Sequence, residues 1–180
     1  MREKFDLSTL QKGIADRYPD ISLTCMSPKD LVFETRVAMS CFYCKNYGRN
    51  WHCPPKIPQI DYQNMMLEYD SGAFALISLP FDDLTFPEVR TRSTNDLHQA
   101  LLSMEHILWE HDHPLAISFI GGSCKLCKNG CGKEYCNNPY QARMPLEATG
   151  VNVIKSAEKY GIELHFPPDG TLKRLGLILW

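Results

Sequence analysis

Leu7, Leu10 and Ile14 recur at helical spacing among polar neighbours and predict a short amphipathic helix over 7–18, with Ser8 as its cap. The segment 31–39 (Leu-Val-Phe-Glu-Thr-Arg-Val-Ala-Met) is rich in β-branched and aromatic residues and predicts a strand. A helix is expected over 59–70, after Pro58. The apolar run 73–79, closed by Pro80, has the character of a strand buried on both faces. A polar loop follows over 81–93. The strongest periodicity comes next: Leu97, Leu101, Met104, Ile107 and Leu108 predict a helix from Thr94 or Asn95 to about Glu110. Residues 115–120 form a second buried run that ends in Gly121-Gly122. A last helix is predicted over 147–160, capped by Gly161. Strands over 162–166 and 172–179, joined by Pro167-Pro168-Asp169-Gly170, predict a terminal hairpin. This alternation implies an α+β or α/β fold: one mixed sheet with helices packed on it, in a single domain over 1–180.

Composition narrows the function classes. Of the 180 residues, 44% are apolar and 22% charged, the balance of a globular chain. Nineteen basic against twenty-one acidic residues give a net charge of −2, which offers no electrostatic footprint for nucleic acid. The apolar runs fall far below the ~20 residues of a membrane span. Met1-Arg-Glu-Lys-Phe5 lacks the apolar stretch of a secretory signal, so the expected location is cytoplasmic.

In that reducing setting the eight cysteines change the picture. Cys41, Cys44, Cys53, Cys124, Cys127, Cys131 and Cys136 fall in two windows of 13 residues each, with none in the 70 residues between. Clustered thiols in a reducing compartment are metal ligands or redox groups rather than disulfides. The second window reads C-x2-C-x3-C-x4-C, interleaved with Gly130 and Gly132. Four thiolates in one glycine-bearing loop suit a polynuclear centre, and the spacing approaches the bacterial ferredoxin run. Structural zinc sites usually split their ligands between two separated knuckles, which makes zinc the alternative metal.

The first window reads C-x2-C-x8-C followed by Pro54, and Tyr43, Tyr47 and Trp51 could shield a cluster there. It supplies three thiols. A fourth ligand could be Cys25 or His52, one iron could stay open to substrate, or both windows could serve one shared site.

These two motifs together resemble a family of predicted metal-binding proteins, domain of unknown function 2284, widespread in anaerobic bacteria and archaea. The resemblance rests on Cys41-x2-Cys44 with Tyr47-Gly48, Trp51 and Cys53-Pro54-Pro55. It continues through Gly121-Gly122, the four cysteines 124, 127, 131 and 136, Pro139, Ala142-Arg143, Glu147-Ala148 and Gly150. The family's usual Arg-Pro-Ser-Met-Glu is here Arg143-Met-Pro-Leu-Glu147, without the serine. The resemblance implies metal binding and, by cysteine pattern, iron–sulfur clusters; it implies no reaction.

The remaining candidates are weaker. His106, His111 and His113 read as a solvated helix end. Arg143 and Glu147, four apart, read as a local ion pair. The expected function is a protein with one or two [4Fe–4S] clusters in electron transfer or a redox accessory role. Alternatives are an enzyme with an open iron at the three-cysteine motif and a zinc-stabilised binding module. The implied partner is a redox protein, docking on Lys125, Lys128 and Lys133, or a small-molecule substrate, with neither nucleic acid nor membrane. A homodimer is compatible with the sequence.

Overall fold

Alternating burial organises one sheet with two covered faces. In the computed structural model, which describes residues 5–180, β1 (Ile21–Met26), β2 (Gly72–Pro80), β3 (Ile117–Phe119) and β4 (Thr171–Leu179) form a sheet in the order β1-β2-β4-β3. All three pairings are antiparallel, so the fold is α+β and the sheet is not mixed. The opening segment 1–4, part of the stretch judged unlike a secretory signal, lies outside the described residues.

The strands carry the two-residue period of a doubly covered sheet. Ala73, Ala75 and Ile77 of β2 and Ile178 of β4 turn to one face, where Leu10 and Ile14 meet Leu97, Leu101, Met104 and Leu108. Those residues belong to α1 (Leu7–Ala15) and α4 (Phe86–Glu110). Phe74 of β2 and Leu175, Leu177 and Leu179 of β4 turn to the other face. There they meet Met66 of α3 (Tyr62–Leu67), Leu146, and Ala157 of α5 (Val153–Glu158). At Gly176 α4 packs tightly on the sheet: a Cβ there would lie 2.7 Å from Leu101 Cδ1 and 3.1 Å from the Phe119 carbonyl oxygen.

Several expectations need correction. The segment 31–39 is not a strand. Phe33 makes only an isolated bridge to Val151, and Val37–Phe42 coils into α2, which buries no residue. The expected loop 81–93 is mostly the first turns of α4. Asp82 Oδ1 accepts hydrogen bonds from the Leu84 and Thr85 amides, and Pro87 stands in the first turn, where its missing N–H costs nothing. Asp6, not Ser8, caps α1 by accepting from the Ser8 amide. The helix expected over 147–160 is two pieces. A one-turn helix, Leu146–Thr149, stops at Gly150 (φ 91°), and α5 restarts behind the Asn152 cap.

The terminal hairpin does not form. Residues 162–166 stand off from β4, which pairs instead with β2 along its whole length and with β3 at its end. Strand β1, unassigned from the sequence, is an edge strand with only Ile21 and Met26 buried. Among the described residues no helix is long and apolar enough to cross a membrane.

Candidate metal centre

The second cysteine loop is launched by β3. At Gly121 a Cβ would lie 2.4 Å from the Leu175 carbonyl oxygen, so only glycine lets the chain leave the sheet so close to β4. Cys124, Cys127, Cys131 and Cys136 then line one cavity together with Asn50 and His52 of the first loop. The far end of the loop is clasped to α4. Arg143 donates from Nε to Glu105 Oε1 at 2.8 Å and from Nη2 to Oε2, while the Ser118 amide and hydroxyl also donate to Oε1 at 2.8 and 2.6 Å. Glu105 is 1% exposed, which makes this a buried pair. The ion pair expected between Arg143 and Glu147 is therefore replaced by one across the fold.

The first loop is wound from tight turns. Cys41 lies in the last turn of α2, the Cys44 amide donates to the Cys41 carbonyl at 3.1 Å, and the Cys53 amide donates to the Asn50 carbonyl at 3.2 Å. Side-chain hydrogen bonds bind the loops to each other. Trp51 Nε1 donates to the Gly132 carbonyl at 2.8 Å, and Asn46 Nδ2 donates to Ser123 Oγ at 3.0 Å. Lys56 covers the outer face of the Trp51 ring, 4.1 Å from its centre.

The thiols feel one another across this junction. Burial, then the neighbouring Cys44, Cys41, Cys124 and Cys131, pushes the Cys53 thiol up to about 12. Burial also raises Cys124, reinforced by Cys131, Cys127 and Cys136, and raises Cys41, reinforced by Glu147 and Cys44. Thiols so crowded resist ionising alone; a bound cation would supply the charge that lets them ionise. The Trp51 and Asn46 hydrogen bonds place the two motifs side by side, with Cys53 buried in the first.

Donors to sulfur are present in the second loop. Asn138 donates from Nδ2 to Cys127 Sγ at 3.1 Å and from its amide to Cys136 Sγ at 3.4 Å. As placed, no three His, Cys, Asp or Glu side chains among the described residues converge closely enough to hold a single ion. The donor set nonetheless fits a thiolate-bound group: four sulfurs around one cavity, two of them already receiving N–H donors.

A model of a family described as predicted metal-binding proteins, domain of unknown function 2284, matches residues 24–180. The chain belongs to this family. Neither a curated protein nor a solved structure matches it. In this DUF2284 protein the sequence candidates separate clearly. Cys25 is exposed on β1, paired with Ala73, three strand positions or about 14 Å from β3. His52 borders the four-cysteine cavity, and burial, then Arg143, lowers its pKa.

Of the aromatic residues expected to shield the first motif, Trp51 is half-buried at the junction, whereas Tyr43 is 77% exposed and packs edge-on against Phe42. Lys128 and Lys133 are exposed, but Lys125 is tied to the Arg90 carbonyl and Thr94 Oγ1 at 3.2 and 3.0 Å. At the end of α4, His111 Nδ1 lies 2.7 Å from the Ile107 carbonyl. Asn138 escaped the sequence reading; its signal was the polar Asn-Asn-Pro that follows Cys136.

Fully buried His98 also escaped it. Its Nε2 lies 2.8 Å from the Gln141 carbonyl, so that nitrogen carries the proton and Nδ1 is left without a partner. Burial lowers its pKa to about 4. His98 therefore serves as a neutral peg, fastening the segment that leads to Arg143.

Proposed function

We propose that this DUF2284 protein holds iron–sulfur centres on its two cysteine loops and works in electron transfer or a redox accessory role in a reducing compartment. The observation that carries the reading is the four-cysteine cavity with Asn138 donating to two of its sulfurs. N–H donors to ligating thiolates are a lever by which proteins set cluster potential. Cys124, Cys127, Cys131 and Cys136 would hold one [4Fe–4S] cluster, with Cys41, Cys44 and Cys53 at a second or at a shared site. Such a group, when bound, supplies one-electron transfer. The chain's own residues do the rest: Asn138 biases the potential, Trp51 joins the two loops, and the Glu105–Arg143 clasp fixes the exit of the second.

A second reading has its own support. His52, although part of the first loop, lines the four-cysteine cavity, and Cys25 lies on the far edge of the sheet, which leaves the first loop with three thiols. Three thiolates on a cubane leave one iron open to a substrate, the arrangement of a cluster enzyme. A zinc-stabilised binding module is the reading that metal analysis must remove.

The test is the visible absorbance and EPR of anaerobically purified chain and its Cys→Ser variants. With two clusters, Cys127→Ser and Cys41→Ser each remove part of the charge-transfer absorbance, whereas Cys25→Ser removes none. Loss of all absorbance in Cys25→Ser, or its persistence in full in Cys127→Ser, sinks the assignment.

A further inference from the structure

Beside β4 opens a cleft of about 590 Å³, within the ~300–1,000 Å³ of small-molecule sites. It lies between β4, α2 and the start of α5, with residues 164 and 166 along one side and Gly121 and Glu147 at its inner end. Val153, Leu164, Phe166 and Leu175 give it apolar walls.

Its charges are unbalanced. Arg36 is paired with Glu34, which also takes Lys155. Lys173 and Arg174 have no carboxylate within ion-pair distance among the described residues. Lys173 Nζ donates to the Glu163 carbonyl at 3.1 Å, and Arg174 donates to Ser93 Oγ and the Gly121 carbonyl at 3.2 and 3.1 Å, all neutral acceptors. Arg174 is mostly buried and feels the Glu147 carboxylate at the inner end of the cleft, beyond ion-pair distance, so Lys173 is the lining cation left without a counter-charge.

A second, independent observation lies at the inner end. Glu147 Oε2 is shut off from solvent and has no hydrogen-bond partner. Natively buried polar atoms are almost always paired, so an orphan lining a cleft points to a missing donor.

We propose that this cleft is a binding site for a small organic anion with an apolar body, its anionic group held by Lys173 and a hydrogen-bond donor of the ligand met by Glu147. The site is distinct from the cysteine cavity yet adjoins the first loop, since Cys41 Sγ lies 4.0 Å from the Glu147 carbonyl oxygen. It places a ligand beside the three-thiol motif, where a substrate would have to sit. The inference stands apart from the metal assignment, because it uses none of the cysteines.

The test is calorimetric titration of the anaerobically purified full chain with 4-phenylbutyrate, octanoate and benzoate, each against its neutral alcohol counterpart. At least one carboxylate is expected to bind at one per chain, at least about tenfold tighter than its alcohol. Lys173→Ala should weaken it several-fold, and Ile154→Trp, which places a bulky ring at the cleft wall, should abolish it. Both positions reach solvent, so neither variant threatens folding. Equal affinity for acid and alcohol, undiminished binding by Ile154→Trp, or no binding by any probe up to about 10 mM overturns the proposal.

Discussion

Arg143→Met is the sharpest perturbation of the clasp that closes the cavity. Glu105 is 1% exposed and Arg143 17% exposed at the side chain, so neither charge has much water to fall back on. Removing the guanidinium leaves a buried carboxylate supported only by the Ser118 amide and hydroxyl. Breaking a buried pair from one side costs ~3–5 kcal/mol, and the residual exposure of Arg143 puts this one near the lower bound. That is a large part of the ~5–15 kcal/mol that keeps a domain folded.

The exposed pair Arg36–Glu34 provides the contrast: with Arg36 73% exposed and water free to replace its partner, Arg36→Met should leave the urea midpoint nearly unchanged. The assay is urea unfolding of both variants at identical metal loading, since a ligand bound to the native state adds its own stabilisation. Adding Glu105→Gln to Arg143→Met removes the stranded charge while keeping an acceptor for Ser118. The double variant should therefore be less destabilised than the two singles added together. An Arg143→Met cost below about 1 kcal/mol, or strict additivity in the cycle, would refute the clasp.

Four further outcomes follow from the same geometry. His98 has a folded pKa depressed to about 4 against 6.5 unfolded, so its contribution is present above 6.5 and lost as pH falls. The wild type should lose roughly 3 kcal/mol more than His98→Gln between those values by pH-dependent denaturation, and parallel curves would contradict this. Gly176→Ala forces a methyl against Leu101 and the Phe119 carbonyl and should cost ~1–3 kcal/mol with metal content kept. Gly121→Ala meets unyielding backbone at the root of the second loop and should lower metal content per folded chain, measured by elemental analysis. Asn138→Ala removes one N–H donor from Cys127 Sγ and should shift the redox midpoint to more negative values in voltammetry; an unmoved potential would detach Asn138 from the centre.

Much of the fold was legible because it follows local periodicity. The long apolar stripe of α4 and the continuous runs of β2 and β3 announced themselves, and their burial follows from that pattern alone. The misread segments are those where tertiary contacts override propensity. Residues 31–39 have strand-forming side chains but a single bridge partner, Val151, and so turn into α2. Residues 162–166 look like a hairpin arm, yet they stand across the cleft from Lys173 and Arg174 rather than pairing with β4.

At the candidate site the seven cysteines were legible from spacing. Their side-by-side placement was not, because it depends on Trp51 reaching Gly132 across 81 positions of sequence. The Glu105–Arg143 clasp was hidden for the same reason: a four-residue spacing suggested Glu147, and the partner lies 38 positions away on another helix.

The central claim meets its most direct test in counting iron, acid-labile sulfide and zinc per chain after anaerobic purification. The account predicts about four to eight irons, matched by an equal amount of sulfide and without stoichiometric zinc. Roughly one or two zincs per chain with no labile sulfide would contradict it, and would turn the two cysteine loops into structural knots rather than redox centres.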